Sequence, residues 1–376
     1  MDMLKVQNSK PEVGNLKTRV RSQGCGFTVY LALLFLTCAS VPLSAQSGFI
    51  SPADPLIRYS GRFDMSDPAA PRFDWPGSMI ELRFSGTSCA VKILGDGGLY
   101  NIFINDSQFV EHFDTLETVY PLVNGLRDSI HFLRITKRFE GRAGRFVSVK
   151  GFYVDSGKTL HPLGKEPFHK IEFIGGSNLL GFGTEAATLR CAKPSDFSNT
   201  HLSFGPAAAR LLGAQYHVIA MSGRGLLRNW RSPYISGRRT FTLFYNRTVK
   251  SDPKSKWDFN SWVPHVVVIN LGNNDYSSKP HPPKELFQIH YLNFIQEIKT
   301  RNPQVQIVCV TSSREPLRTY VRELVEKERE AGNAQIHFYS FAPVPIRECG
   351  CDWHPGVAAQ ARIGAQLAEI IRPLLP

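Results

Sequence analysis

Three apolar runs of strand length, each closed by a glycine-rich turn, restrict this chain more than any other feature. Ile171-Glu172-Phe173-Ile174 leads into Gly175-Gly176-Ser177, Tyr216-His217-Val218-Ile219-Ala220-Met221 into Ser222-Gly223-Arg224-Gly225, and His265-Val266-Val267-Val268-Ile269-Asn270-Leu271 into Gly272-Asn273-Asn274-Asp275. Short continuous apolar runs bounded by glycines fit strands buried on both faces, and strands alternating with helices build a parallel sheet. The alternation continues with helical apolar spacing over 285–299, a strand over 306–311, a charged helix over 318–330 and a last strand over 336–340. The fold class that follows is α/β, with a sheet covered on both faces. Ligands of such sheets gather at the carboxyl ends of strands, which is where the three turns fall.

Each turn carries chemistry that is weak alone. Glycines before Ser177 permit close backbone approach, although an isolated Gly-Gly-Ser equally makes a strand-to-helix turn with the serine as cap. The loop at Gly223 offers backbone N–H groups. Asn274 and Asp275 bring an amide and a carboxylate, or simply satisfy a turn. His354 follows Cys349-Gly350-Cys351-Asp352-Trp353 and precedes Pro355, after which Val357, Ala358, Ile363, Leu367 and Ile370-Ile371 give an amphipathic closing helix. A histidine there also serves as a capping or packing residue. The order of the set is what gives it weight: a hydroxyl nucleophile, donors for a developing oxyanion, then an imidazole base are the parts of acyl transfer.

In that order the four blocks resemble the SGNH, or GDSL-like, hydrolase superfamily. The closer likeness is to carbohydrate esterase family 2, in which a jelly-roll β domain precedes the SGNH domain and the histidine stands in an Asp-Trp-His-Pro string, here Asp352-Trp353-His354-Pro355. Arg58-Tyr59-Ser60-Gly61-Arg62-Phe63 and Phe84-Ser85-Gly86-Thr87 also resemble that family. The resemblance implies an SGNH-type three-layer α/β/α domain, Ser177 as nucleophile and His354 as base. It also implies an oxyanion hole formed by the Ser177 and Gly223 amides with the Asn274 side chain. The implied reaction is O-deacetylation of a polysaccharide or oligosaccharide of xylan or glucomannan type, with no cofactor.

Two positions depart from the superfamily. Gly176 stands where Asp usually precedes the serine, which removes a carboxylate that should brace the oxyanion loop; slower turnover, or a catalytically impaired glycan-binding protein, is the corresponding expectation. Cys351 stands where an Asp usually lies three residues before the histidine. The family resembled is thought to use a Ser–His dyad, with a backbone carbonyl orienting the imidazole. Asp352 and Trp353, beside His354, are then free to bind substrate. A lipase or thioesterase would need a long apolar acyl channel. Cys349, Cys351, Asp352 and His354 are metal-ligand residue types, but Cys-x-Cys is not usual zinc spacing and no second Cys/His cluster accompanies it, so no metal is expected.

Upstream, from Ile57 to about Asp155, the pattern alternates, as in Met79-Ile80-Glu81-Leu82-Arg83-Phe84 and His131-Phe132-Leu133-Arg134-Ile135, with turn signals at Asp96-Gly97-Gly98 and Asn105-Asp106. Short strands so spaced predict a β-sandwich, which the resemblance makes a jelly roll. The expected organisation is a signal peptide over 1–45, a β-sandwich over 48–160, a linker at His161-Pro162-Leu163-Gly164-Lys165 and the hydrolase domain over 166–376. Lys5, Lys10, Lys17, Arg19 and Arg21 precede an apolar stretch over 27–41, and Leu43-Ser44-Ala45 makes a cleavage site. A secreted or periplasmic protein, without stable membrane insertion after cleavage, is expected, with an uncleaved membrane anchor as the lesser alternative.

The formal charge of +12 is spread along the chain rather than gathered into basic tracts with interleaved aromatics, so nucleic acid is not an expected partner. The surplus suits contact with anionic cell-wall polymers; the oligomeric state is left open. Beyond residue 45 the cysteines are Cys89, Cys191, Cys309, Cys349 and Cys351, an odd number, so at least one thiol is unpaired within a monomer. Trp230, Tyr234, Trp257, Trp262 and Tyr276 are candidates for stacking on sugar rings and equally for core packing.

Overall fold

Alternation decides the first half of the chain. In Met79–Gly86, Ile80, Leu82 and Phe84 enter one core, while Glu81 on the opposite face pairs with Arg58 and Arg134. A computed structural model describes residues 47–376; the leader read over 1–45 lies outside the described residues. Eleven strands come first: β1 (Ser47–Ile50), β2 (Arg58–Ser60), β3 (Arg72–Phe73), β4 (Met79–Gly86), β5 (Cys89–Leu94), β6 (Gly98–Ile104), β7 (Ser107–Phe113), β8 (Glu117–Val123), β9 (Ser129–Lys137), β10 (Val147–Asp155) and β11 (Leu160–His161). They form two antiparallel sheets, β1-β10-β5-β8 with β3 against β10, and β11-β4-β9-β6-β7 with β2 against β4. Inward side chains of both, among them Leu82, Val91, Ile102, Leu133, Val149 and Phe152, share one core.

His161, expected to open a linker, instead pairs with Arg83 and extends the second sheet. The downstream strands β12 (Lys170–Gly175), β13 (Gln215–Ala220), β14 (Val266–Asn270), β15 (Gln306–Thr311) and β16 (Ile336–Ser340) form one parallel sheet in the order β13-β12-β14-β15-β16. The helices are α1 (Phe204–Leu211), α2 (Thr242–Tyr245), α3 (Lys284–Arg301), α4 (Leu317–Glu330) and α5 (Val357–Ile371).

Because successive strand residues point to opposite faces, each β-branched run supplies two cores. Phe173, Val218, Val268 and Val308 pack with Phe204 of α1 and Ile363 and Leu367 of α5. Ile174, Ile219, Ile269 and Ile307 pack with Phe287 and Tyr291 of α3 and Val321 of α4. α1 and α5 approach closely at Gly364, where a Cβ would sit 2.8 Å from that of Ala207. From β12 the chain steps to β13 on one side and then to β14 on the other, so the strand order reverses at β12. That reversal opens a crevice at the strands' carboxyl ends.

The two halves are packed into each other. Trp75 and Met79, from the antiparallel half, are buried in the cores of the parallel sheet. Arg62 is fully buried, with its guanidinium 2.9 Å from Glu172 of β12 and donating to the carbonyls of Tyr245 and Arg247. The β9–β10 connection, residues 138–146, reaches the crevice: the Arg138 carbonyl accepts from the Thr200 amide, and its side chain pairs with Glu185.

Candidate active site

β12 ends at Gly175, where a Cβ would meet Leu179 and the Asn270 carbonyl at 3.0 and 3.1 Å, so only glycine lets the chain turn this close to β14. Ser177 follows in a run of turns rather than a helix, with the Leu180 amide donating to the Gly176 carbonyl and that of Phe182 to the Ser177 carbonyl, each at 3.1 Å. His354 is brought to it from 177 residues away, with Nε2 at 2.8 Å from Ser177 Oγ.

Imidazole orientation comes from the backbone. Nδ1 lies 3.1 Å from both the Cys351 and the Asp352 carbonyl oxygens. Carbonyls only accept, so Nδ1 carries the proton and Nε2 is left to receive one from the serine hydroxyl. The Asp352 carboxylate is exposed and has no part in this contact. To place both carbonyls, Asp352 and Trp353 take left-handed conformations, φ 49° and 58°, each costing on the order of 1–2 kcal/mol for a residue with a Cβ. A disulfide between Cys191 and Cys351, and the Asp352 amide donating to the Leu189 carbonyl at 2.8 Å, hold this turn against the preceding loop.

The Phe182 ring lies 4.6 Å from the imidazole. Burial holds the His354 pKa below its usual 6.5, against the upward pull of the two carbonyls and the Asp352 charge. The imidazole is therefore neutral at ordinary pH. Trp353 stands beside it, 64% exposed.

The three groups expected as donors lie in the turns that follow β12, β13 and β14. The amides of Ser177 and Gly223 have no hydrogen-bond acceptor among the described residues. Gly223 has φ +72°, and its carbonyl accepts from the Trp230 amide at 2.8 Å. Asn274 gives one N–H to the Arg224 carbonyl at 2.8 Å, leaving the second, and its nitrogen lies 3.2 Å from where a Cβ on Gly176 would be.

Two carboxylates elsewhere in the chain, Asp275 and Glu140, accept from amides on either side of Gly223. Asp275, fully buried, accepts from the amides of Leu226 (3.2 Å), Leu227 (2.7 Å) and Arg228 (2.9 Å) in the loop that follows Gly223. Burial pushes its pKa up to about 6, opposed by those amides. Glu140, from the β9–β10 connection, accepts from the Ser222 amide at 3.2 Å. Neither contact was expected from sequence, where Asp275 is only a turn residue and Glu140 lies in the other half of the chain. Of the aromatic candidates, Trp230 and Tyr234 are exposed and Trp230 borders Gly223, while Tyr276 is buried against Phe287. Trp262 stacks on His217 and donates to Gln215, at the amino end of β13, and Trp257 packs edge-on to the same imidazole. Both lie at the end of the sheet opposite the crevice, because the segment entering β14 runs along its amino edge.

Comparison with known proteins agrees with this architecture. Residues 59–163 match a family profile described as carbohydrate esterase 2 N-terminal. A solved family two carbohydrate esterase from Clostridium thermocellum is 31% identical and superposes with a TM-score of 0.76, covering 84% of this chain and 98% of that one. The chain belongs to carbohydrate esterase family 2. Members of this family are carboxylic ester hydrolases. Cellulase/esterase CelE of Acetivibrio thermocellus is 34% identical over 335 residues, 85% of this chain, which spans 39% of that relative's length. An acetylxylan esterase / glucomannan deacetylase of Cellvibrio japonicus is 27% identical over 305 residues, 77% of this chain and 82% of its own.

Proposed function

We propose that this protein is an extracytoplasmic carbohydrate O-acetylesterase working through a Ser177–His354 dyad. The observation that carries the reading is the 2.8 Å contact between His354 Nε2 and Ser177 Oγ, with Nδ1 bound to carbonyls. His354 takes the hydroxyl proton as Oγ attacks the acetyl carbonyl, then returns it to the sugar oxygen as that oxygen leaves. A water, deprotonated by the same imidazole, hydrolyses the acetyl-enzyme and regenerates the serine. Charge on the tetrahedral oxygen is met by the Ser177 and Gly223 amides and the Asn274 side chain, each such donor being worth roughly 10²–10³ in rate. Disrupting the orienting Asp of a triad costs about 10⁴ in turnover, largely through the wrong tautomer. Two carbonyls preserve the tautomer without supplying a full charge, so the dyad's penalty is smaller.

Acetylated xylan or glucomannan is the proposed substrate, with Asp352 and Trp353 lining the approach. The Cellvibrio japonicus relative is an acetylxylan esterase / glucomannan deacetylase, and the Clostridium thermocellum esterase was solved in complex with cellohexaose. We assign the antiparallel half, 48–160, as the jelly roll and 166–376 as the three-layer hydrolase domain, with 1–45 as a cleaved leader. Acetate release from acetylated xylan and glucomannan by the purified protein tests the activity. Ser177→Ala should reduce release on the order of 10⁴-fold or more. Glycan retention in an affinity gel without hydrolysis by the unmodified protein would instead support a binding protein, the reading that Gly176 favours.

A further inference from the structure

An open cavity of about 340 Å³ lies beside the oxyanion loop, between Met221, Ser222 and Arg224 and the β9–β10 connection. It is within the size range of small-ligand sites. Arg142 and Arg145 line it from the connection, and Arg224, Arg239 and Arg247 from the hydrolase half. The guanidinium groups of the last three lie 5.6, 5.7 and 4.5 Å from the Phe244 ring centroid, so three like charges share one small area.

The carboxylates in the same wall are already engaged. Asp74 accepts from the amides of Lys250 (2.6 Å) and Ser251 (2.7 Å), Asp96 pairs with Lys137, and Glu140 accepts from the Ser222 amide and from Lys250 Nζ at 3.1 Å. Among the described residues none of the five arginines forms an ion pair. Burial, with repulsion from Arg239, lowers the basicity of Arg224 and Arg247. Gathering like charges costs free energy that an anion from solution would recover. Guanidinium forks match a planar carboxylate bidentately, and Met221, Ser222 and Arg224, on either side of Gly223, form one wall of the cavity.

We propose that this cavity holds the carboxylate of a uronic-acid substituent on the polysaccharide whose acetyl group is removed at Ser177. The link to deacetylation rests on the esterase reading above; the carboxylate binding does not. The test titrates the full chain carrying Ser177→Ala with a xylo-oligosaccharide bearing one glucuronic acid, a neutral xylo-oligosaccharide of equal length, and inorganic phosphate, at low and physiological salt. The acidic oligosaccharide should bind about 10- to 100-fold more tightly than the neutral one, and the margin should shrink with salt. It should fall to less than about threefold when exposed Arg142, Arg145 and Arg239 are changed together to Ser. As a readout needing no variant, free glucuronate should displace the acidic oligosaccharide but not the neutral one. Equal affinity for the two oligosaccharides, or a margin that survives the triple change, overturns the proposal; so does phosphate binding as tightly as the acidic sugar. Should the wild-type chain release no acetate, only the esterase reading falls, because the binding margin is measured without turnover.

Discussion

A histidine base acts only when neutral, and burial holds His354 below 6.5. The acid limb of kcat/KM should therefore fall below the pH expected of a free imidazole, with activity flat through neutrality and lost as one proton binds. Because the Asp352 charge raises that pKa, Asp352→Asn should move the limb to still lower pH while costing only a few-fold in turnover. A pH–rate series on 4-nitrophenyl acetate checks both points, and a loss in Asp352→Asn as severe as in Ser177→Ala would give the carboxylate a catalytic role. Asp275 behaves oppositely. Its pKa is raised from 3.8 to about 6, so between about pH 4 and 6 the folded state holds more protons than the unfolded one and Asp275's contribution to stability declines as pH rises. Asp275→Asn should remove that slope in denaturant titrations. It should also lower kcat about tenfold, since an amide presents donors to the loop's own N–H groups.

At the scale of elements, the turn that carries His354 depends on a cross-link. Two left-handed residues in succession are unfavourable, and the Cys191–Cys351 bond, 160 residues apart in sequence, holds Cys351 where its carbonyl meets Nδ1. Cys191→Ser should cost roughly 2–4 kcal/mol of stability and lower kcat more than it raises KM, as read by chemical denaturation and steady-state kinetics; an unchanged kcat would mean that the turn keeps its shape without the bond. The strands and turns of the crevice were legible because each is local: 306–311 and 336–340 match β15 and β16, Ser177, Gly223 and Asn274 fall in the turns after β12, β13 and β14, and His354, just before α5, contacts Ser177. What was not legible is long-range. Five cysteines admit many pairings, Glu140 reaches Ser222 across 82 residues, and nothing near Asp275 in sequence marks the three amides it receives.

For the whole molecule, the expected linker misstates how the halves are joined. Trp75 and Met79 enter the parallel sheet's cores, and Arg62 reaches Glu172 in the middle of β12. Single-residue patterning marks an arginine as surface, so its burial could not be read from the sequence. The Glu172 carboxylate also accepts from the Tyr245 hydroxyl at 2.8 Å, so each buried charge has several partners. Removing one partner of such a pair strands the other, which costs about 3–5 kcal/mol, while replacing both with apolar residues of similar volume is often near neutral. Arg62→Met should therefore destabilise strongly, and Arg62→Met with Glu172→Leu should recover most of the loss. Since the pair couples both halves, residues 47–376 should unfold in a single transition, followed by tryptophan fluorescence and far-ultraviolet circular dichroism together. Two separated transitions would mean that the antiparallel half folds independently and merely docks. The placement of Glu140 against the oxyanion loop would then be a docking contact, free to open between turnovers.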